Sequence, residues 1–519
     1  LILALATITS CRLDPPRRSG VPTADANATD ETKALFIRLW TVGKSNMTLI
    51  GHQDDTYFGV GWRDIAGRSD ILEVSGSYPA VYGWDVGGIE LGGPDNPDGV
   101  PFNTIRDRII EAYRRGGVIT ISWHMLHPVN FPLHGSDPAM PLIGTAWDVD
   151  PTAPAVSAIL PGGVNHAIYR QWLDQFAAFD RSLTVSGVPW NQNEHLIPVI
   201  FRPFHEHNGS VFWWGGRNTT EADYIALWRF TVEYLRDTAG LHNLLYAYSP
   251  DARFMFGRGS GYIFPDLAAF QRDYFYAYPG DDYVDVLGLD YYGSFIARGQ
   301  DVDEPAVLKN SLDMLVQTAD SRNNLKIPAL TELGGQRWPD PDWWTTYLYP
   351  AMVPGHGQVA WALLWRNSAE DSRSGPYRNA SGASSDADDF VVFKNRRSII
   401  LENEIPFPLY SWPFVEPFTG IWRGPDPIDG SEITMVLTQT RNSLTGMFVD
   451  TYSEGIPPPG YQGSGAGEAF SDTTAEMTFD LTRSDGSIVH PVMTITLSNG
   501  NNTLTFEIEG FSPTILERQ

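Results

Sequence analysis

The chain has 519 residues, 42% hydrophobic, 13% aromatic and 19% charged, proportions that exclude a disordered protein and leave length for more than one core. With 62 acidic against 36 basic residues the formal net charge is −26, which argues against nucleic acid as a partner, because neutralising phosphates needs a basic face. The single cysteine, Cys11, excludes an intrachain disulfide.

In chain order, residues 1–11 read as the remnant of an export signal. Its end, Ile8-Thr9-Ser10-Cys11, has the pattern of a bacterial lipoprotein cleavage site, with Cys11 as the lipidated residue. Residues 12–31, rich in Pro, Asp, Ala and Thr, read as a tether. Membrane contact is expected only through Cys11, since no other stretch has the length and apolarity of a span.

From 32 to 405, short apolar runs alternate with amphipathic stretches. The predicted strands are Thr48–Asp55, Pro79–Asp85, Val118–Trp123, Ile197–His205, Leu244–Ser249, Asp285–Tyr292, Ile327–Glu332 and Gln358–Trp365. Between them, helical spacing predicts helices over Thr104–Arg115, His166–Leu183, Ala222–Asp237, Ala306–Asp320 and Asp386–Leu401. Eight such units predict an α/β protein built as a (β/α)8 TIM barrel. The rival, an open doubly wound sheet, lacks its glycine-rich loop after the first strand. From 406 to 519 the period changes to two, as in Ile433–Thr438, Ala475–Asp480, Val492–Leu497 and Leu504–Ile508, with Asp485-Gly486 and Asn499-Gly500 as turns. This predicts a smaller all-β domain, a sandwich or small barrel. It is either a glycan-binding unit using Trp422 or Tyr461, or a spacer packed on the larger domain.

The segment Val199–Gly209 carries most of the chemistry. An apolar β-branched run, expected in a buried parallel strand, stops in Arg202, His205 and Glu206. Polar residues at the C-terminal end of a barrel strand are where chemistry sits. Glu332 ends the seventh predicted strand in the same way. Two carboxyl groups brought to one rim suit glycoside cleavage with retention, which needs them about 5–5.5 Å apart. Arg202 shares a strand face with Glu206 and is the expected counter-ion of Glu332, to which Tyr292 could donate a hydrogen bond. Phe204 and the Phe212–Trp214 cluster provide an apolar surround that would raise the pKa of Glu206. His205 is expected to orient a carboxylate or touch substrate. Trp123 and Trp214 are candidate sugar-stacking residues, and Asp85 is a candidate for a remote subsite.

Taken together, Gly51-His52-Gln53-Asp54-Asp55, Ser122-Trp123-His124, Arg202-Pro203-Phe204-His205-Glu206, Leu289-Asp290-Tyr291-Tyr292, Thr331-Glu332-Leu333-Gly334 and Trp365-Arg366-Asn367 resemble glycoside hydrolase family 26. The best-known members of that family are β-mannanases. The resemblance covers residues 32–402. It implies a (β/α)8 fold, retention of configuration and neither metal nor cofactor, with Glu206 matching the acid/base and Glu332 the nucleophile. It also implies that His124 lines the site of the cleaved sugar, Trp365 lies beneath that sugar and Arg366 touches the next, while Asp290 braces the site. Where many members carry an aromatic platform on the leaving side, this chain has Val211, which implies either weaker binding there or a substitute aromatic such as Trp213. His52 is expected to line the rim or distal sugar sites.

The function so implied is an exported, monomeric endo-acting hydrolase of β-1,4-mannosidic bonds in a mannan-type polysaccharide or oligosaccharide. The alternatives are β-1,3-xylan, mixed-linkage β-glucan, exo release of mannobiose, and non-catalytic glycan binding.

Overall fold

The computed structural model describes residues 21–130, 144–149, 152, 154–216, 218–255, 263–292, 303–322, 325–334, 341–352, 359–368, 375–378, 386–411, 418, 420–427, 431–440, 443–451, 461–469, 474–483, 487–498, 503–508 and 513–518. Residues 1–20, with Cys11, and the turns Asp485-Gly486 and Asn499-Gly500 lie outside them.

Each of the eight predicted runs coincides with a strand: β1 (Thr48–Gln53), β2 (Val81–Asp85), β3 (Val118–Ser122), β4 (Val199–Arg202), β5 (Leu244–Tyr248), β6 (Val286–Tyr291), β7 (Ile327–Leu333, one residue beyond its run) and β8 (Trp361–Leu364). All are buried along their whole length, as strands covered on both faces must be. Each pairs in parallel with the next, and β8 pairs back onto β1, closing the barrel.

Helix α1 (Asp30–Lys44), buried on most of its surface, crosses the N-terminal end of the barrel against β1, β5 and β7. Around the barrel run α2 (Phe102–Arg115), α3 (His166–Arg181), α4 (Glu221–Glu233), α5 (Glu304–Asp320) and α6 (Ala387–Lys394). Local chemistry starts them: the Thr220 side chain accepts from Asp223 N at the head of α4, with Glu221 and Asp223 in its first turn facing the positive end of the helix dipole. Helix α6 is shorter than predicted. The chain leaves it at Lys394, and the β-branched pair Ile399–Ile400 adds as a short strand to β1.

Residues 21–29, read above as tether, are docked. Ala24 N donates to Asp285 Oδ1 (2.7 Å), Arg236 to Ala24 O (2.8 Å) and Thr29 N to His242 O (2.8 Å), while His242 Nδ1 lies 2.7 Å from Asp25 Oδ2. Asp285 and His242 stand just before β6 and β5, so this arm sits at the N-terminal end of the barrel.

The second domain has strands β9 (Gly420–Pro425), β10 (Glu432–Thr440), β11 (Ser443–Thr451), β12 (Tyr461–Ala469), β13 (Thr474–Arg483), β14 (Val492–Ser498), β15 (Thr503–Ile508) and β16 (Thr514–Arg518). Each of these eight pairs antiparallel with the next, and β16 with β9, while the two-residue strand Ile488–Val489 also pairs with β13; of the two architectures left open, the described residues form a closed meander barrel. Trp422, Met435, Leu437, Phe448, Phe479 and Phe506 are among the side chains filling its inside. Trp422 is wholly buried there and donates to Phe418 O (3.0 Å), which removes it as a sugar platform. Val436 and Met447 instead join the core of the larger domain, and Arg38 of α1 donates to Thr438 Oγ1 (3.2 Å).

Strand β12 escaped the sequence reading because Gly463, Gly465 and Gly467 replace an apolar face. Their lack of side chains lets β13 approach: a Cβ at Gly463 would lie 1.8 Å from Asp480 O and one at Gly467 1.9 Å from Glu476 O. Gly463→Val is therefore expected to destabilise this barrel by about 1–3 kcal/mol, the usual cost of overpacking. The check is a lowered thermal midpoint; an unchanged one would contradict the close strand contact.

Candidate active site

In a parallel barrel the C-terminal strand ends share one rim, and the candidate residues gather there. Past Arg202 the chain turns sharply: Phe204 (φ 48) and Glu206 (φ 53) both occupy the left-handed region, a conformation costing about 1–3 kcal/mol per non-glycine residue. Hydrogen bonds hold the turn. Glu206 N donates to Ser249 O (2.8 Å), Tyr224 OH to Phe204 O (2.9 Å) and Trp214 Nε1 to His205 O (2.8 Å).

Glu206 and Glu332 converge. Glu206, Asp290 and Glu332 are all buried, and each offers a carboxylate oxygen within 4.8 Å of the others. Arg202 supplies positive charge to two of them, pairing through Nη2 with Glu332 and through Nη1 with Asp290 Oδ2 (2.9 Å). Ser249 Oγ and Thr331 Oγ1 also bond to Asp290 (3.2 and 2.7 Å). Tyr292 OH donates to Glu332 Oε2 at 2.7 Å. Burial, then the charge of Glu332, pushes the Tyr292 phenol well above its usual range, so it stays a donor.

The two glutamates differ in their partners. Glu332 faces a guanidinium and a phenol. Burial holds the Glu206 carboxyl well above the usual range, aided by Asp251, Glu332 and Asp290 and opposed by Arg253, whose Nη2 lies 3.4 Å from Glu206 Oε2. Two carboxyl groups at this distance can perform double displacement, whereas inverting chemistry needs about 6.5–9.5 Å between them.

His124 stands at the rim with its Nδ1 2.8 Å from Asp85 Oδ2. Burial alone would lower its pKa; the Asp85 charge outweighs that and raises it. Asp85 also accepts from Ser122 Oγ (2.7 Å) and Gly87 N (2.8 Å). It is buried and braces His124 rather than reaching a remote subsite. Burial, then the charge of Arg202, keeps His205 far below its ordinary pKa and therefore neutral. Its ring meets that of His124 edge-on at 4.7 Å.

Trp365 is half-buried, with its ring 6.0 Å from that of His124. Arg366 is held by Asp54 Oδ2 (3.1 Å) and Asp98 Oδ1 (2.7 Å). Burial pushes the Asp54 carboxyl up to about 7 against the pull of Arg366.

Several aromatic expectations are corrected by burial. Trp123 and Trp214 are wholly buried, Trp123 stacked on Phe176 at 5.4 Å and Trp214 on Phe212 at 4.6 Å. They support the rim and present no open face to sugar. Trp213 is equally buried and bonded to Met125 O (3.0 Å), so it is no substitute for the platform missing at Val211. His52 is also buried, paired with Asp55 (2.7 Å) and accepting from Asn367 N (3.2 Å), beneath the rim rather than on it. Conversely, the sequence reading missed Trp147, 38% exposed and stacked on His124 at 5.0 Å. Only its loop's return to β3 gives it that place.

A closed (β/α)8 barrel with paired rim carboxylates has the form of a glycoside hydrolase. The family model described as "Glycosyl hydrolase family 26" matches residues 24–350, and the chain belongs to that family. A mannan endo-1,4-β-mannosidase from Bifidobacterium adolescentis is 31% identical over 447 residues, 83% of this chain and 40% of that protein; one from Bacillus subtilis is 26% identical, over 47% of this chain and 56% of its own length. The chain thus spans about half the length of these curated relatives or less. Among solved structures, a family 26 β-mannanase from Bacteroides ovatus is 37% identical with a TM-score of 0.61, covering 74% of this chain and 98% of its own. A Cellulomonas fimi endo-β-1,4-mannanase is 26% identical with a TM-score of 0.60, covering 92% and 99%.

Proposed function

We propose that the protein is a retaining endo-β-1,4-mannanase in which Glu332 is the nucleophile and Glu206 the acid/base. The observation that carries this is the approach of their oxygens to within 4.8 Å, the spacing of a double-displacement pair. Glu332 attacks the anomeric carbon while Glu206 protonates the departing glycosidic oxygen. Water then displaces Glu332 from the sugar and yields its proton to Glu206. Arg202 and Tyr292 orient Glu332, and burial of Glu206 supports its acid form. His124, His205, Trp365 and Arg366 line the donor side, with Trp147 as a further stacking face.

The mannan-acting relatives from B. adolescentis and B. subtilis support the choice of substrate. Incubation with glucomannan, lichenan and β-1,3-xylan is expected to yield mixed-length products from glucomannan alone. Cleavage of either other polymer in preference, or early release of mannobiose only, would overturn the substrate or the endo assignment.

The proposal includes export, with Cys11 as the lipid carrier, which the apolar stretch ending in Ser10-Cys11 supports. Fatty-acid labelling of the protein made in a bacterial host is expected to disappear in Cys11→Ala; equal labelling of both would reject it.

A further inference from the structure

The turn after β5 carries a pair that the steps above do not use. Asp251 is buried, and its carboxylate grips Arg253 at three points: Oδ1 accepts from Arg253 N (2.7 Å), and Oδ2 accepts from Nε (2.6 Å) and pairs with Nη2. The turn is itself fastened to the Glu206 segment. Asp251 N donates to Asn208 Oδ1 and Asn208 Nδ2 to Asp251 O, both at 2.8 Å. The guanidinium edge formed by Nε and Nη2 is thus fixed on Asp251, and the same Nη2 faces Glu206 Oε2 at 3.4 Å, with the ring of Tyr292 5.6 Å away.

That contact is longer than a full charge-assisted hydrogen bond, about 2.7–2.9 Å. The cation is held close enough to stabilise a carboxylate without forcing Glu206 to ionise. The charged and titratable groups around Glu206 are Asp251 and Arg253 beyond β5, Asp290 and Tyr292 at the end of β6, Glu332 on β7, and Arg202 and His205 on its own segment. Only one changes charge during the reaction. While Glu332 is a free carboxylate it opposes ionisation of Glu206; once it is an ester that repulsion is gone, and Arg253 favours the anion against Asp251 and Asp290, which still oppose it.

We propose that Arg253 is a positioning residue for the second displacement: clamped by Asp251, its guanidinium stabilises the Glu206 carboxylate that takes the proton of the attacking water. This rests on the reading of Glu206 as acid/base. In that step the water oxygen bonds to the anomeric carbon and the bond from that carbon to Glu332 breaks, its electron pair returning to the Glu332 carboxylate. The water proton goes to Glu206.

The test uses 2,4-dinitrophenyl β-mannobioside, whose leaving group needs no acid, so that hydrolysis of the glycosyl-enzyme limits turnover. Arg253→Met is expected to show a burst of dinitrophenolate followed by turnover reduced about tenfold, with the acid limb of kcat moved up by about one pH unit. Azide, which needs no base, restores its turnover. Arg253→Lys, which keeps a cation, brings the limb back toward the parent. A variant without a burst, or one with an unmoved acid limb, overturns the proposal, because a merely structural defect would slow both displacements alike. Glu206→Ala run in parallel separates the role of Arg253 from that of Glu206. It must itself give β-configured glycosyl azide; if it does not, the acid/base reading fails whatever Arg253 does.

Discussion

Glu332→Ala is expected to lose about 10⁴-fold or more of the turnover of mannan, the scale on which removing a covalent nucleophile acts. The fold should survive. Arg202 loses one of its partners but keeps Asp290 and Ser249, and the cost is about that of one charge-assisted hydrogen bond, roughly 1.5–3 kcal/mol. The missing carboxylate leaves room for a small anion beside a guanidinium and a phenol. Azide with dinitrophenyl β-mannobioside should therefore restore turnover and give the α-configured glycosyl azide, inverted because a single displacement replaces two. Product configuration by NMR checks this; β-azide, or retained activity without azide, would move the nucleophile elsewhere.

The second large effect is expected at Glu206. Glu206→Ala should cost about 10²–10⁴-fold on mannan, the usual worth of general acid–base catalysis, and far less in the formation of the glycosyl-enzyme from the dinitrophenyl substrate. The position also has a signature outside activity. Because burial raises its pKa in the folded protein, the fold binds the proton more tightly than the unfolded chain does. Stability at this site is fully present below the unfolded carboxyl pKa of about 4.3 and is lost as pH rises through the folded value. Glu206→Gln stays neutral and escapes that loss, so its thermal midpoint should exceed the parent's at alkaline pH and match it near pH 4. A difference independent of pH would mean that the carboxyl carries no such penalty. Activity on mannan should fall through the same upper window, since the ionised acid cannot protonate the leaving oxygen.

Much of the barrel was legible in the sequence because parallel strands leave an unmistakable trace. Val199–Phe201 is an unbroken apolar run that ends in charge, as only a strand buried on both faces and open at one end would be. The carboxylates were readable for the same reason: Glu206 and Glu332 close two such runs. The misreadings share a cause as well. Trp123, Trp213 and Trp214 lie beside rim residues in sequence, but whether a ring opens to the cleft depends on which loop folds over it, and that is decided by distant segments. Trp147 is the reverse case, an ordinary loop tryptophan until His124 lies against it. Arg253 carried no sequence signal, being one of many arginines, and its meaning comes from the clamp by Asp251. Strand β12 was hidden because its glycines are chosen for backbone proximity rather than for apolar surface.

The leaving side of the cleft follows a different course from the pattern that the motif resemblance implies. With Val211 half-buried against the core and Trp213 wholly inside it, neither offers a ring to a departing sugar, so affinity there must come from other groups or be weak. Comparing mannotetraose with mannohexaose as substrates separates these cases: a small gain in kcat/KM for the longer chain would mean that few leaving-side contacts exist.

The docked segment 21–29 sits at the end of the barrel opposite the carboxylates. A resin or scaffold attached at this segment meets the molecule on the side away from the carboxylates. Immobilisation through a residue of this segment should therefore cost little access to bulky polymer, even at high surface coverage.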